Sequence, residues 1–219
     1  ILADETVKKF VRERRAQYPL LDVDNPVSYG SFTMSEYYFE IKRNQMQGMY
    51  NVPDVYKRLE NALAKETGRK YGMVESYRTE DADYVIVIMS SATGVVKDVV
   101  DEMREDGVKA GCIRIRFFRP FPREELVKLV TGKKGVAVLD RCSSIGGTSP
   151  LAAEVKAALY GLPQRVPVQE YVFGLGGRDF YPRDAEKVIT RMADGDYSFE
   201  PRFIGLLEKD KREEENGWN

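Results

Sequence analysis

Between Asp81 and Gly147, three strand-like apolar runs alternate with two amphipathic helical patterns, and no other feature restricts the fold as tightly. The runs are Tyr84 to Met89, Cys112 to Phe118 and Val136 to Asp140. All are rich in β-branched residues, and the first and third are too continuously apolar to be wet on one face. They read as parallel strands covered on both sides by crossover helices. In an open sheet of this kind the carboxyl ends of the strands face a ligand or partner. The expected fold class is therefore α/β, a small mostly parallel sheet flanked by helices and preceded by a helical and irregular arm.

The flanking pattern fills in the rest. Asp4 is placed to cap a helix carrying Val7, Phe10 and Val11 that Pro19 ends. From Leu20 to Tyr50 the turn formers Asp22, Asp24, Asn25-Pro26, Gly30 and Ser31 predict irregular chain. Its dense aromatics, Tyr29, Phe32, Tyr37, Tyr38 and Phe39, anchor an arm onto another surface, in the same chain or a neighbour. A helix follows from about Val52 to Thr67 with Gly68 as its stop. Ser90 to Gly94 opens a helix with Val95, Val96, Val99, Val100 and Met103 on one face, its small hydroxyl residues satisfying the first turn. Further helices start after Pro122 and at Ser149-Pro150. A strand near Val166 to Phe173, interrupted by Pro167, belongs towards an edge. Gly174 to Gly177 turns into a last helix with Ala185, Val188, Ile189 and Met192. The segment Phe203 to Leu207 is a short apolar piece, and Lys209 to Glu215 is expected to fray.

Composition closes several functional classes. Thirty-four basic and thirty-five acidic residues nearly cancel, so no global field draws nucleic acid or an anionic membrane. No run of about 18 apolar residues is available for a membrane span, and no signal peptide is visible. Two cysteines, Cys112 and Cys142, fall short of a disulfide framework or a cluster ligand set, which sets a reducing, cytoplasmic location as the expectation. The first residue is Ile1 rather than methionine, as expected of a stretch internal to a longer polypeptide or processed. With no histidine anywhere, imidazole acid–base chemistry, Ser-His-Asp triads and histidine metal sites are excluded from this chain.

The remaining polar groups can be weighed one by one. Ser90, Ser91, Thr93 and Gly94 stand where a strand gives way to a helix, the place for a phosphate. One glycine instead of three makes a structural cap the stronger reading, with a nucleotide or coenzyme A module as the alternative. Arg114 and Arg116, two apart on a strand, point the same way and need anionic partners, Asp140 or helix carboxylates. With Arg119 they read as an ion-pair network or subunit contact ahead of a substrate site. Asp140-Arg141 at a strand end has the placement of a functional pair, although such pairs also lock loops. Cys142, Ser143 and Ser144 lack an activating base. Asp194-Gly195-Asp196 inverts the Gly-Asp-Gly motif that holds Mg²⁺ and thiamine pyrophosphate.

Several phrases, in order along nearly the whole chain, resemble the α chain of the 2-oxoacid:ferredoxin oxidoreductases, the pyruvate type above all. They are Asp24 to Gly30 (DNPVSYG), Thr67 to Gly72 (TGRKYG), Tyr77 to Asp83 (YRTEDAD), Ile113 to Phe121 (IRIRFFRPF), Val138 to Arg141 (VLDR) and Gly174 to Phe180 (GLGGRDF). The resemblance implies residues 1–75 as the end of a pyrimidine-binding domain with a connecting arm. It implies a transketolase C-terminal-like domain over 76–200 and a tail over 201–219. It also implies a complex that cleaves a 2-oxoacid on thiamine pyrophosphate and Mg²⁺. Electrons would pass through [4Fe-4S] clusters to ferredoxin, and an acyl-CoA would form. Partners would be the pyrimidine-binding part and the β and γ chains, with neither nucleic acid nor membrane. Catalytic residues would lie upstream of Ile1 and none in this chain. Its part would be structural, with Tyr29, Tyr37, Tyr38, Arg114, Arg116, Arg119, Asp140 and Arg141 in interfaces or ion pairs. Cys142 to Gly147 departs from the family's usual loop after Asp-Arg, so pyruvate, a branched 2-oxoacid or oxalate remains open as the substrate.

Overall fold

A computed structural model describes residues 1–30 and 32–206, in two compact units that divide between Gly72 and Met73. The expected apolar piece is described as far as Leu206; Leu207 and the charged segment Lys209 to Glu215 lie outside the described residues, as does Ser31.

The first unit holds three helices, α1 (Asp4–Val11), α2 (Ser35–Tyr50) and α3 (Val52–Thr67), none of which has a buried residue. Lys9 pairs with Glu66 at 2.9 Å, tying α1 to α3. Three expectations change here. Asp4 is the first residue of α1, following an Ala3 cap, so its carboxylate favours the helix through the N-terminal dipole. The helix stops at Val11, where Arg12 turns to φ 61°, well before Pro19. The stretch expected to be irregular to Tyr50 becomes helical at Ser35. Glu36, Glu40, Lys42, Arg43, Gln45 and Met46 are good helix formers, but the aromatics and methionines spread over most of the circumference of α2 and leave no narrow apolar stripe to read. Helix α3 runs as expected and ends at Gly68, whose φ of 69° is the left-handed stop that glycine adopts without a Cβ penalty.

The second unit is one six-stranded sheet. Its strands are β1 (Val74–Tyr77), β2 (Tyr84–Ile88), β3 (Ala110–Ile115), β4 (Gly135–Asp140), β5 (Val168–Val172) and β6 (Arg202–Phe203), in the order β1-β3-β2-β4-β5-β6. Every pairing is parallel except β1 with β3. Four helices fill the connections: α4 (Thr93–Glu105), α5 (Arg123–Val130), α6 (Pro150–Leu159) and α7 (Pro182–Ala193). Alternation divides the apolar strands between two cores. Ile86, Ile88, Cys112, Ala137 and Leu139 pack under α4 and α7, while Val85, Val87, Ile113, Val136 and Val138 pack with α5 and α6. Continuous apolar strands are what a sheet buried on both faces requires.

Two strands escape the sequence pattern. β1 is four residues, too short to show a period, and β6 is two. Because β6 pairs with β5, the strand expected towards an edge lies one place in. Pro167 stands just before β5 and costs no ladder bond as a donor; its carbonyl accepts from the Val136 amide at 2.9 Å. Buried Gln169 holds the following chain by accepting from the Ser198 amide at 2.6 Å and donating to the Glu200 carbonyl at 3.1 Å.

Candidate functional site

The chain leaves β2 through α4 towards β3, then returns past β2 to build β4, β5 and β6 on the other side. The connections therefore diverge from the carboxyl ends of β2 and β4, where open α/β sheets form a crevice. A cleft of about 230 Å³ opens there, lined by Ser91 after β2, Arg141 after β4, Phe173 after β5, and Arg178 and Asp179 beyond them. Arg141 donates to the Gly174 carbonyl at 3.1 Å, and Arg178 donates to the Gly205 carbonyl. Gly174 has φ 65°, and a Cβ there would come within 2.8 Å of the Arg141 guanidinium. The glycine thus provides both the turn and the room for the arginine. Phe173 and Phe180 form a tilted ring pair, 4.9 Å between centroids, against the same cleft.

The expected capping of α4 by its hydroxyl residues is not what forms. The cap position is Ala92, with no side-chain cap bond, and the Thr93 hydroxyl turns back to donate to the Ser90 carbonyl at 2.7 Å. Thr93 is buried, and Ser90 takes a φ of 67° to make the turn. Of the four candidates Ser90, Ser91, Thr93 and Gly94, Ser91 lines the cleft. At the start of α6 the positive end of the helix is already met by carboxylates of the chain itself. Asp140 accepts from the Leu151 amide at 2.8 Å, and Glu170, 3% exposed, accepts from the Ser149 amide at 2.8 Å. Asp140 and Arg141 therefore face different tasks, a helix start and a loop, rather than each other.

Arg114 and Arg116 do point the same way, and their shared partner is Glu75 on β1, not Asp140. Register sets this up, since Glu75 lies directly opposite Arg114. Arg116 reaches the Glu75 carboxylate at 2.5 Å and Arg114 at 3.6 Å, and Lys97 from α4 also donates to it. Burial alone would push the Glu75 carboxyl up. The Lys97 hydrogen bond and the charges of Arg116, Lys97 and Arg114 outweigh that and hold it below the usual carboxylate range. Arg119 pairs with Glu154 at 2.8 Å and lies over the Phe118 ring. Arg104, which sequence reasoning passed over, clamps the end of α4 by donating to Ala110 and Arg78 carbonyls at 2.7 and 2.8 Å and to Asp81 at 2.6 Å. Asp196 of the inverted motif is bound by both terminal nitrogens of Arg202.

Tyr29, Tyr37 and Tyr38 are exposed, as are Phe32 at 88% and Phe39 at 78%. Cys112 is buried in β3, where desolvation pushes its thiol up to about 12, and Cys142 is exposed. A [4Fe-4S] cluster takes four thiolates, so the two cysteines do not fit one. Nor do the described residues bring together three acidic, cysteine or histidine side chains that fit a metal ion such as Mg²⁺. Glu75, Glu170 and Arg104 carry no local motif. Only the pairing of distant strands gives them their roles.

Among the described residues no helix is long and apolar enough to cross a membrane. Comparison with known proteins adds lineage to this geometry. Residues 82–185 match the family pyruvate:ferredoxin oxidoreductase core domain II. The chain is 45% identical over 206 residues to the pyruvate synthase subunit PorA of Thermotoga maritima, covering 94% of this chain and 53% of that one. It is 37% identical to the ketoisovalerate oxidoreductase subunit VorA of Pyrococcus horikoshii, covering 88% and 49%. It thus spans about half the length of these relatives. A solved 2-oxoglutarate:ferredoxin oxidoreductase from Magnetococcus marinus aligns over 78% of this chain and 24% of its own, at 16% identity and a TM-score of 0.49. Taken with the mostly parallel sheet and its two helical layers, the sequence matches lead to one conclusion: the chain belongs to the 2-oxoacid:ferredoxin oxidoreductase family, as a relative of its PorA and VorA subunits and with core domain II over residues 82–185.

Proposed function

We propose that this chain is a supporting portion, C-terminal in position, of a thiamine pyrophosphate-dependent 2-oxoacid:ferredoxin oxidoreductase. It packs beside the cofactor-binding domains and holds them in register while they oxidise the 2-oxoacid and pass electrons to ferredoxin. The observation that carries this reading is the 45% identity to a pyruvate synthase subunit across 94% of the chain. The internal engagement of its strong polar groups agrees with it: Glu75 with three cations, Asp140 and Glu170 with the start of α6, Arg119 with Glu154. Thiamine pyrophosphate, Mg²⁺ and the [4Fe-4S] clusters belong to other parts of the complex in this reading. Support of this kind matters because an ångström of misplacement near a reacting centre can cost roughly a hundredfold in rate.

Pyruvate is the substrate we assign, on the 45% identity to the Thermotoga maritima pyruvate synthase subunit alone, since other pyruvate synthase subunits, at 32–36%, overlap the ketoisovalerate subunits at 35–37%. The complex recovered through a tag on this chain should reduce a viologen dye with pyruvate and coenzyme A, faster than with 2-ketoisovalerate or oxalate. Absence of any 2-oxoacid-dependent reduction by that complex overturns the reading, and a preference for another 2-oxoacid overturns the substrate.

A further inference from the structure

The cleft at the diverging ends of β2 and β4 is not absorbed by a supporting role. Its wall includes two arginine residues, Arg141 and Arg178, both exposed, against the single acidic residue Asp179, an excess of one positive charge. Each arginine is held in place from behind by a backbone carbonyl, that of Gly174 or of Gly205. A carbonyl fixes a guanidinium without neutralising it, so both cations keep their full charge and donors to spare for an anion. Ser91 and Ala92, where α4 begins, line the same cleft, while the Thr93 and Gly94 amides of that turn donate to the Ser90 and Ser91 carbonyls.

The other walls define what accompanies the anion. Asp179 accepts from the Tyr181 hydroxyl at 3.1 Å through one carboxylate oxygen. An ionised carboxylate has about four acceptor sites, so it retains capacity for ligand hydroxyls. Phe173 and Phe180 supply an apolar side that a carbon skeleton can lie against. At about 230 Å³ the cleft is smaller than the roughly 300–1,000 Å³ of drug-sized sites, which limits the occupant to a small molecule.

From this juxtaposition we infer that the cleft is a binding site for a small phosphate monoester with a hydroxylated carbon body. The phosphate lies between Arg141 and Arg178 near Ser91, and the hydroxyls lie towards Asp179. The site stands apart from the supporting role and does not depend on it: it would make this domain a sensor of a phosphorylated metabolite rather than part of the reaction.

The full chain, labelled with ¹⁵N, is titrated at constant ionic strength with glycerol 3-phosphate and ribose 5-phosphate, and separately with glycerol, ribose and inorganic phosphate. The expected result is saturable movement of the Ser91 and Gly177 amides with the two esters at Kd values tighter than about 1 mM, and none with the free alcohols. Arg178→Met should weaken ester binding at least about tenfold, the loss of a charge-assisted contact. Arg141→Met should do likewise, and Ser91→Ala serves where the Gly174 turn does not survive that change. Absence of saturable shifts with both esters, or ester binding unchanged in Arg178→Met, overturns the site. Equal affinity for inorganic phosphate and the esters overturns the hydroxylated body.

Discussion

Glu75 shows how much one residue can organise that a local reading does not reveal. In the sequence it is a lone carboxylate in a four-residue strand. In the fold it faces Arg114 across the ladder and is met by Arg116 and Lys97 as well. The period-two rule foresaw that the two arginines share a face and need an anion, but no rule operating within one segment could choose Glu75 over Asp140. The same limit applied at Glu170, whose contact with the α6 start depends on the β4–β5 pairing. By contrast, Gly68 was legible, since a left-handed stop after a periodic run is a local matter. Replacing Glu75 with Gln leaves three cations around a neutral amide and should destabilise the chain at neutral pH by roughly 1–3 kcal/mol. The folded-state carboxyl is held below its ordinary range, so its contribution is fully present above the unfolded value and fades as pH falls through the folded one. Thermal melts of both proteins from neutral to acid pH should therefore converge on acidification. A gap that stays constant or widens towards acid contradicts the network.

At the scale of elements, legibility followed burial. The apolar strands β2 and β4 and the helices α4 and α7 present long, regular patterns because each must meet a core, and they fall where the patterns place them. Helix α2 buries nothing within the chain, so no selection for one-sidedness marks it, and turn formers upstream dominated the reading. Tyr37, Tyr38 and Phe39 are exposed on it, and their docking on a neighbouring chain is a proposal with its own test. Substituting all three by Ser should leave chain stability within about 0.5 kcal/mol, since no buried contact is lost. The same variant should recover markedly less of the complex when the tagged chain is isolated. A large drop in the chain's own melting temperature, with assembly intact, would show that the arm serves this chain instead.

For the whole molecule, the division after Gly72 separates a unit with a two-sided core from one whose helices bury nothing. The α/β class was legible because parallel strands need crossovers and crossovers need helices, whereas the strand order emerges only from the fold. Function was legible only as far as lineage, since the supporting role rests on what a chain gives to its neighbours. That role has a direct test. Calorimetric titration of the isolated chain with thiamine pyrophosphate and Mg²⁺ should give no saturable heat, because the cofactor is gripped elsewhere; a dissociation constant in the micromolar range for this chain alone would contradict the account.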